Sequence, residues 1–356
     1  MRKFLLSVLL LVVVAAVVVW IFRGPIAVRV MGRVVERNLQ ADPFDELPDG
    51  LHVTLCGAGG PFPDPARSAP CVAIVAGRSL YLVDSGSGAS RNLTRVGFQP
   101  GQVDAVFLTH FHSDHIDGLG ELGIMRWTGG SHRLPLPIYG AEGVSEIVQG
   151  LNQVYRLDSM YRTTHHGPEI LPPTGSGFRA RGFEEPPTGE SVVVFEQDGL
   201  RVSAFRVDHF PIVPAVGYRF DYKGRSVVLS GDTSKSANLE QFASGVDLLV
   251  HEALSPELMG IIGRGAEGAG NKAIAKIAVD VLNYHATPLE VAELAESAGV
   301  GHLLYYHIVP PMPLPGLESI YLSGVAEAYA GPVTLGRDGT SVSLPAGSDE
   351  IIELER

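Results

Sequence analysis

Val103-Asp104-Ala105-Val106-Phe107-Leu108-Thr109-His110-Phe111-His112-Ser113-Asp114-His115-Ile116-Asp117-Gly118 is the stretch from which the fold is read. Its first six residues form a largely apolar run of the kind that makes a buried strand. Directly after it, His110, His112, Asp114 and His115 place four metal-binding side chains within six positions. Alternate residues of an extended turn point the same way, so His110, His112 and Asp114 can converge on one side, leaving His115 to serve a neighbouring ion. Imidazole suits zinc, iron or manganese, and a carboxylate admits a second ion of the same hardness range. A polar loop capping a strand is the ordinary alternative, but it has no need of so many ligands. The stretch reads as a metal site.

The pattern His-x-His-x-Asp-His resembles the signature of the metallo-β-lactamase superfamily, and the likeness continues downstream. His209 ends the run from Val202, Asp232 lies at the end of the run from Arg225, and His307 ends the run from Leu303. Each follows a short apolar segment, as expected if a buried sheet delivers the ligands to one rim. The resemblance implies that His110, His112 and His209 hold one metal and that Asp114, His115 and His307 hold the other. Asp232 would bridge them, and Asp114 would count as both ligand and catalytic group. It also implies two divalent ions, zinc foremost, sharing a water whose pKa falls to near 7. No nucleophilic Ser or Cys is then required, and the chain has no Gly-x-Ser-x-Gly elbow.

Within the superfamily the chain is most similar to the ribonuclease Z and arylsulfatase-like branch. The likeness rests on Leu55–Pro63, Leu82-Val83-Asp84-Ser85-Gly86-Ser87-Gly88, Pro137–Gly143, Val250-His251-Glu252-Ala253 and His285-Ala286-Thr287. That branch implies His251 as proton donor to the leaving group, oriented by a nearby carboxylate such as Glu252. His285 is expected to orient its neighbours. His165 and His166 are expected either to line a substrate pocket or to form a solvated pair. Tyr155, Arg156 and Arg162 could bind an anion, and His52, His132 and His302 receive no role.

The composition is that of a globular protein with an acidic balance, net charge −12. Lys3, Lys223, Lys235, Lys272 and Lys276 are its only lysines, and residues 116–208 contain none. A ribonuclease Z needs a protruding basic arm in that stretch, and here Glu184-Glu185 stand instead. Phosphate contacts supply most of the affinity of nucleic-acid binders, so no nucleic-acid partner is expected. The resulting expectation is a hydrolase of small sulfate or phosphate esters, arylsulfatase- or phosphodiesterase-like. The alternatives are a lactone or β-lactam hydrolase and, with less support, an RNA 3′-processing endonuclease. A homodimer is left open.

Phe4 to Phe22 is an uninterrupted apolar stretch after Met1-Arg2-Lys3, long enough to cross a bilayer of about 30 Å. Trp20-Ile21-Phe22-Arg23 replaces the small-residue cleavage site of a signal peptide, so an uncleaved single-pass anchor is expected. Arg2 and Lys3 favour an exported domain, and a periplasmic or otherwise extracytoplasmic catalytic domain is the expectation, although Arg23, Arg29, Arg33 and Arg37 pull the other way. Cys56 and Cys71 flank a Pro/Gly loop; a bridge between them would fit export, but buried thiols are equally common.

The expected organisation is an anchor at 1–22, a juxtamembrane segment and linker at 23–50, a catalytic domain at 51–346 and a tail at 347–356. Hairpins are signalled at Asp198-Gly199, Lys223-Gly224 and Asp338-Gly339. Helices are expected at 272–284, at 287–299 with a Thr287 capping box, and at 317–330, with an exposed loop at 171–190. Hairpins in both halves with interleaved helices predict a mixed α/β chain of the α+β kind. The resemblance sharpens this to a four-layer αββα sandwich with the metals at one edge between the sheets. Specificity is expected to lie in loops 60–70, 150–190 and 258–271.

Overall fold

The computed structural model describes residues 1–40 and 42–355; Ala41 of the expected linker and Arg356 of the expected tail lie outside the described residues. Two compact units result, Met1–Glu46 and Leu47–Arg356. The first is dominated by a single helix, Arg2–Gln40, which runs on past residue 22 with Pro25 inside it. Phe4–Arg37 is long and apolar enough to cross a membrane, with mean hydropathy 3.2 and no part of its most apolar window buried. Arg23 lies over the Trp20 ring, 5.2 Å from its centroid.

The second unit is built on two sheets. The first holds β1 (Gly50–Gly57), β2 (Cys71–Ala76), β3 (Ser79–Val83), β4 (Val103–Phe107), β5 (Leu136–Gly140) and β6 (Phe178–Gly182). The second holds β7 (Ser191–Gln197), β8 (Leu200–Arg206), β9 (Val216–Tyr222), β10 (Arg225–Leu229), β11 (Leu248–Leu254), β12 (Leu303–Val309) and β13 (Val333–Leu335). The chain then returns to the first sheet with β14 (Thr340–Pro345) and β15 (Ile352–Glu355), giving the order β15-β14-β1-β2-β3-β4-β5-β6 against β13-β12-β11-β10-β9-β8-β7. Inward side chains of both sheets, among them Val53, Ile74, Phe107, Tyr218, Phe220 and Val250, form one continuous buried core. Val291, Leu294 and Ala295 of helix Pro288–Ala298 pack on the outer face of the second sheet with Leu249 and Leu303. This is the mixed α/β two-sheet architecture that the sequence predicts.

Turn chemistry explains two of the three expected hairpins. Asp198-Gly199 and Lys223-Gly224 take φ of 50 and 86° and of 47 and 82°, the left-handed pair that a two-residue hairpin turn requires. Asp338-Gly339 is different, because β13 and β14 belong to different sheets and the turn passes between them. Its carboxylate accepts from the amides of Ala58 and Ser68 and from Asn92 Nδ2, at 3.0, 2.9 and 2.9 Å. The capped helix runs from Pro288 to Ala298 with both arms of the Thr287–Glu290 box formed and Gly299 at its end.

Other boundaries move. The expected helix at 317–330 is two short ones, Leu317–Tyr321 and Val325–Ala328, separated at Gly324 with φ 79°. The expected loop at 171–190 contains β6, and the specificity loops 150–190 and 258–271 are in large part the helices Val144–His166 and Pro256–Gly268. Cys56 and Cys71 are bonded, linking the end of β1 to the start of β2.

Candidate metal centre

Strand ends on both sheets deliver the donors. The segment after β4 carries His110 and His112 and, in the one-turn helix Ser113–Ile116, Asp114 and His115, while His209 follows β8 and Asp232 follows β10. His307 comes from inside β12, where the register against β11 slips: Glu252 pairs with Tyr306 and Ala253 with Ile308. The skipped residue is His307, held at φ 46°, so a bulge re-aims its side chain out of the strand's alternation. Left-handed backbone at a non-glycine residue costs about 1–3 kcal/mol and is typical of functional positions.

The donors form connected groups. One is His110, His112, His209 and Asp232; another is Asp114, His115 and His307; Asp232 also groups with His285 and His307. His110 Nε2 lies 3.0 Å from His112 Nδ1 and 3.8 Å from Asp232 Oδ2, and His209 Nε2 is 3.9 Å from the same oxygen. His115 Nε2 is 3.6 Å from Asp114 Oδ2 and 3.4 Å from Asp232 Oδ1. His307 Nε2 is 3.3 Å from Asp114 Oδ2 and 3.4 Å from Asp232 Oδ2. Zinc bonds of about 2.0–2.1 Å in a tetrahedron separate neighbouring ligand atoms by about 3.3 Å, so these spacings suit ions held between the donors. His115 Nε2, His209 Nε2 and Asp232 Oδ1 are buried with no hydrogen-bond partner. Buried polar atoms are rarely left so, and these point at the same small space. The residues therefore fit divalent metal.

Outer contacts fix which ring nitrogen faces inward. Asp84, at φ 58° just after β3, accepts from the Thr109 amide, from the Thr109 hydroxyl and from His115 Nδ1 at 2.9, 2.8 and 2.8 Å. His209 Nδ1 donates to the Tyr284 carbonyl at 2.9 Å. Because the Thr109 hydroxyl already donates to Asp84, His110 Nδ1 donates to it in turn, at 3.1 Å. Each bond leaves Nε2 with its lone pair toward the centre. Sequence reading singled out the Asp84 turn as family-like but gave Asp84 no role. An acidic residue ending a buried strand ahead of a Gly-rich turn was the available signal. Thr109 and the Tyr284 carbonyl carried none.

The electrostatics of the protein groups follow from this crowding. Burial opposes charge on Asp232, yet His307, His115 and His110 hold its carboxyl well below the usual range. Burial likewise opposes the His115 cation, but Asp232 and Asp84 push that ring well above an ordinary histidine. His110, His112 and His209 are pushed down, chiefly by burial.

His251 and His285 exchange the places expected of them. His251 is fully buried in β11, its Nδ1 donates to the Glu252 carbonyl, and burial pushes its pKa down. It is not among the residues lining the cleft. His285 does line the cleft, with Nδ1 donating to Glu252 Oε1 at 2.9 Å. Burial opposes its charge, but the Glu252 carboxylate raises it to about 9. Glu252 Oε1 also accepts from the amides of Thr233 and Ala286. The cleft, about 350 Å³, is also lined by His112, Asp114, Asp232 and His307.

A larger cavity of about 500 Å³ lies beside helix Val144–His166, with Tyr155 and Arg156 in its wall and none of the metal donors. Arg162 pairs with Asp158 at 2.7 Å. His165 and His166 end that helix exposed, ring centroids 4.8 Å apart, and are not in the lining of the cleft. His52, His132 and His302 make structural bonds, to Ser343 and Pro48, to Gly101 and to Thr334.

The two sheets and the donor groups at their edge define a metal-binding hydrolase of metallo-β-lactamase type. The chain belongs to this superfamily: residues 80–308 match the family described as Beta-lactamase superfamily domain. Ribonuclease Z of Mycobacterium avium (strain 104) is 35% identical over 300 residues, covering 84% of this chain and 100% of that protein. Ribonuclease Z of Mycobacterium bovis (strain BCG / Pasteur 1173P2) is 33% identical over 290 residues, covering 81% and 96%. Among solved structures, human tRNase Z, short form, superposes with a TM-score of 0.58 at 22% identity, covering 83% of this chain and 99% of that one.

These relatives overturn two expectations, a small sulfate- or phosphate-ester substrate and the absence of a nucleic-acid partner; they point to RNA processing. Of the alternatives, the RNA 3′-processing endonuclease is the one these relatives favour. Residues 116–208 lack lysine but contain Arg126, Arg133, Arg156, Arg162, Arg179, Arg181, Arg201 and Arg206. Guanidinium groups bind phosphate bidentately, and RNA is also recognised through shape, stacking and the 2′-hydroxyl, so neither a lysine-rich arm nor a basic net charge is required.

Proposed function

We propose that the chain is a metal-dependent endoribonuclease that cleaves a phosphodiester bond of RNA, as its relatives named Ribonuclease Z suggest. The observation that carries the reading is their identity of 33–35% across more than four-fifths of this chain and nearly all of theirs. In this reading His110, His112 and His209 hold one zinc ion, Asp114, His115 and His307 hold a second, and Asp232 is shared. Bound, the ions would supply a water-derived nucleophile at neutral pH and neutralise charge growing on the phosphoryl oxygens. Asp84, Thr109 and the Tyr284 carbonyl keep the ligand rings in the binding tautomer. His285, held as a cation by Glu252, gives its proton to the departing ribose oxygen, and Glu252 keeps the ring aimed through that step.

Helix Arg2–Gln40 is read as a single-pass membrane anchor. An RNA substrate calls for a cytoplasmic catalytic unit, in line with the four arginines that follow the apolar run. The Cys56–Cys71 bridge pulls toward an oxidising compartment.

The test is cleavage of a pre-tRNA by the full chain in detergent, with metal content measured on the same sample. Wild type should hold two zinc ions and cut at a defined site, and His110→Ala should lose metal and cutting together. A fully metal-loaded protein that leaves pre-tRNA and other RNA intact would exclude this function.

A further inference from the structure

The catalytic cleft is lined in part by metal donors and in part by an apolar and aromatic wall. That wall is made by Phe62 of the loop after β1, by Ile277 and Val281, and by Tyr284, whose ring touches those of His209 and the cleft histidine His285. Ile274, Ile277 and Val281 follow one another at helical spacing along helix Lys272–Asp280 and its 3-10 extension Val281–Asn283, so they form one stripe. Ile274 and Ile277 remain 42% and 51% exposed although the adjacent Ala278, Met259 and Val309 are buried. Phe62 and Val281 pack on that small core from the cleft side. The wall contains no lysine or arginine among its lining residues, and the facing carboxylates of Asp114 and Asp232 are unsuited to a second phosphate.

Resting on the ribonuclease reading of this same centre, we propose that the apolar wall is a nucleobase subsite. The base next to the scissile phosphate stacks on Phe62 and Tyr284 and lies against Ile277 and Val281, while its phosphate faces the donors. A planar aromatic group on an anionic ester is the chemistry that matches both halves of the cleft. Stacking uses the π-face that every base possesses, so this subsite demands a base without dictating which one. Phe62 and Ile277 are thus specificity-determining residues, and ribose phosphates lacking a base are poor ligands.

The experiment measures binding of adenosine 5′-monophosphate and of ribose 5-phosphate to the zinc-loaded full chain in detergent by calorimetry. Wild type should prefer the nucleotide by roughly five- to 150-fold, the range set by one stacked base. Phe62→Leu and the uncharged Ile277→Ser should each shrink that preference several-fold and leave ribose 5-phosphate affinity within about twofold of wild type. Ile277 is half-exposed, so its variant keeps the fold if Phe62→Leu does not. Equal affinity of the two ligands for wild type, or a preference untouched by both variants, overturns the subsite. Pre-tRNA cleavage by the same wild-type sample separates the two readings. Base preference without RNA cleavage removes the ribonuclease function and keeps the subsite; cleavage without base preference does the reverse.

Discussion

Glu252 binds the His285 ring and two backbone amides through one carboxylate oxygen, while its neighbour His251 turns into the core. Consecutive residues of a strand point to opposite faces, so only one of the pair can serve the cleft. That face belongs to Glu252, and the ring it presents comes from a separate segment. His285→Ala should therefore slow RNA cleavage by about 10²–10⁴-fold with metal content unchanged. The same variant should lose far less on bis(p-nitrophenyl) phosphate, whose leaving group needs no proton. His251→Ala should instead lower the unfolding free energy by about 1–3 kcal/mol, because the Glu252 carbonyl loses its buried donor. Its turnover per folded molecule should be unchanged, as read by urea titration beside an active-site count. The opposite pattern in the two variants would return the proton to His251.

At the scale of elements, the metal loop is positioned by close backbone approach. A Cβ on Gly86 would lie 2.1 Å from the Asp114 carbonyl oxygen, and one on Gly118 would lie 2.2 Å from the Gly86 oxygen. The turn after β3 and the loop after β4 thus touch through their backbones, which lets Asp84 reach Thr109 and His115. The disulfide braces the next pair of strands, closing a loop between residues 15 apart. A loop of that length corresponds to about 3 kcal/mol of stabilisation by restriction of the unfolded chain. The double variant Cys56→Ser/Cys71→Ser should lose about that much in urea unfolding under oxidising conditions, with zinc content unchanged. An unchanged midpoint would mean that the bridge does not form in the folded protein. The Asp338-Gly339 turn carries the same local signal as the two true hairpins, and only the sheet that β14 joins sets it apart.

For the whole molecule, the decisive measurement is which side of the membrane holds residues 47–356. Protease added to intact spheroplasts should leave the catalytic unit intact and cleave it only after lysis, with the chain staying in the membrane fraction through a high-salt wash. Digestion from outside would place the unit away from cellular RNA and remove the ribonuclease reading. The sequence by itself determined the two-sheet class, the apolar N-terminal helix and the full set of proposed ligands. The apolar runs, the histidines and carboxylates at strand ends and the turn residues are local signals, and the ligand set is what the family resemblance of those motifs implies. The tertiary structure alone decided that Cys56 meets Cys71, that His307 sits on a bulge, that Asp84 and Tyr284 hold the His115 and His209 rings, and that His285 rather than His251 faces the cleft. Each depends on strand register and on distances between segments far apart in the chain, which no local pattern encodes. The apolar wall assembled from Phe62 and Ile277 is likewise visible as one surface only after folding.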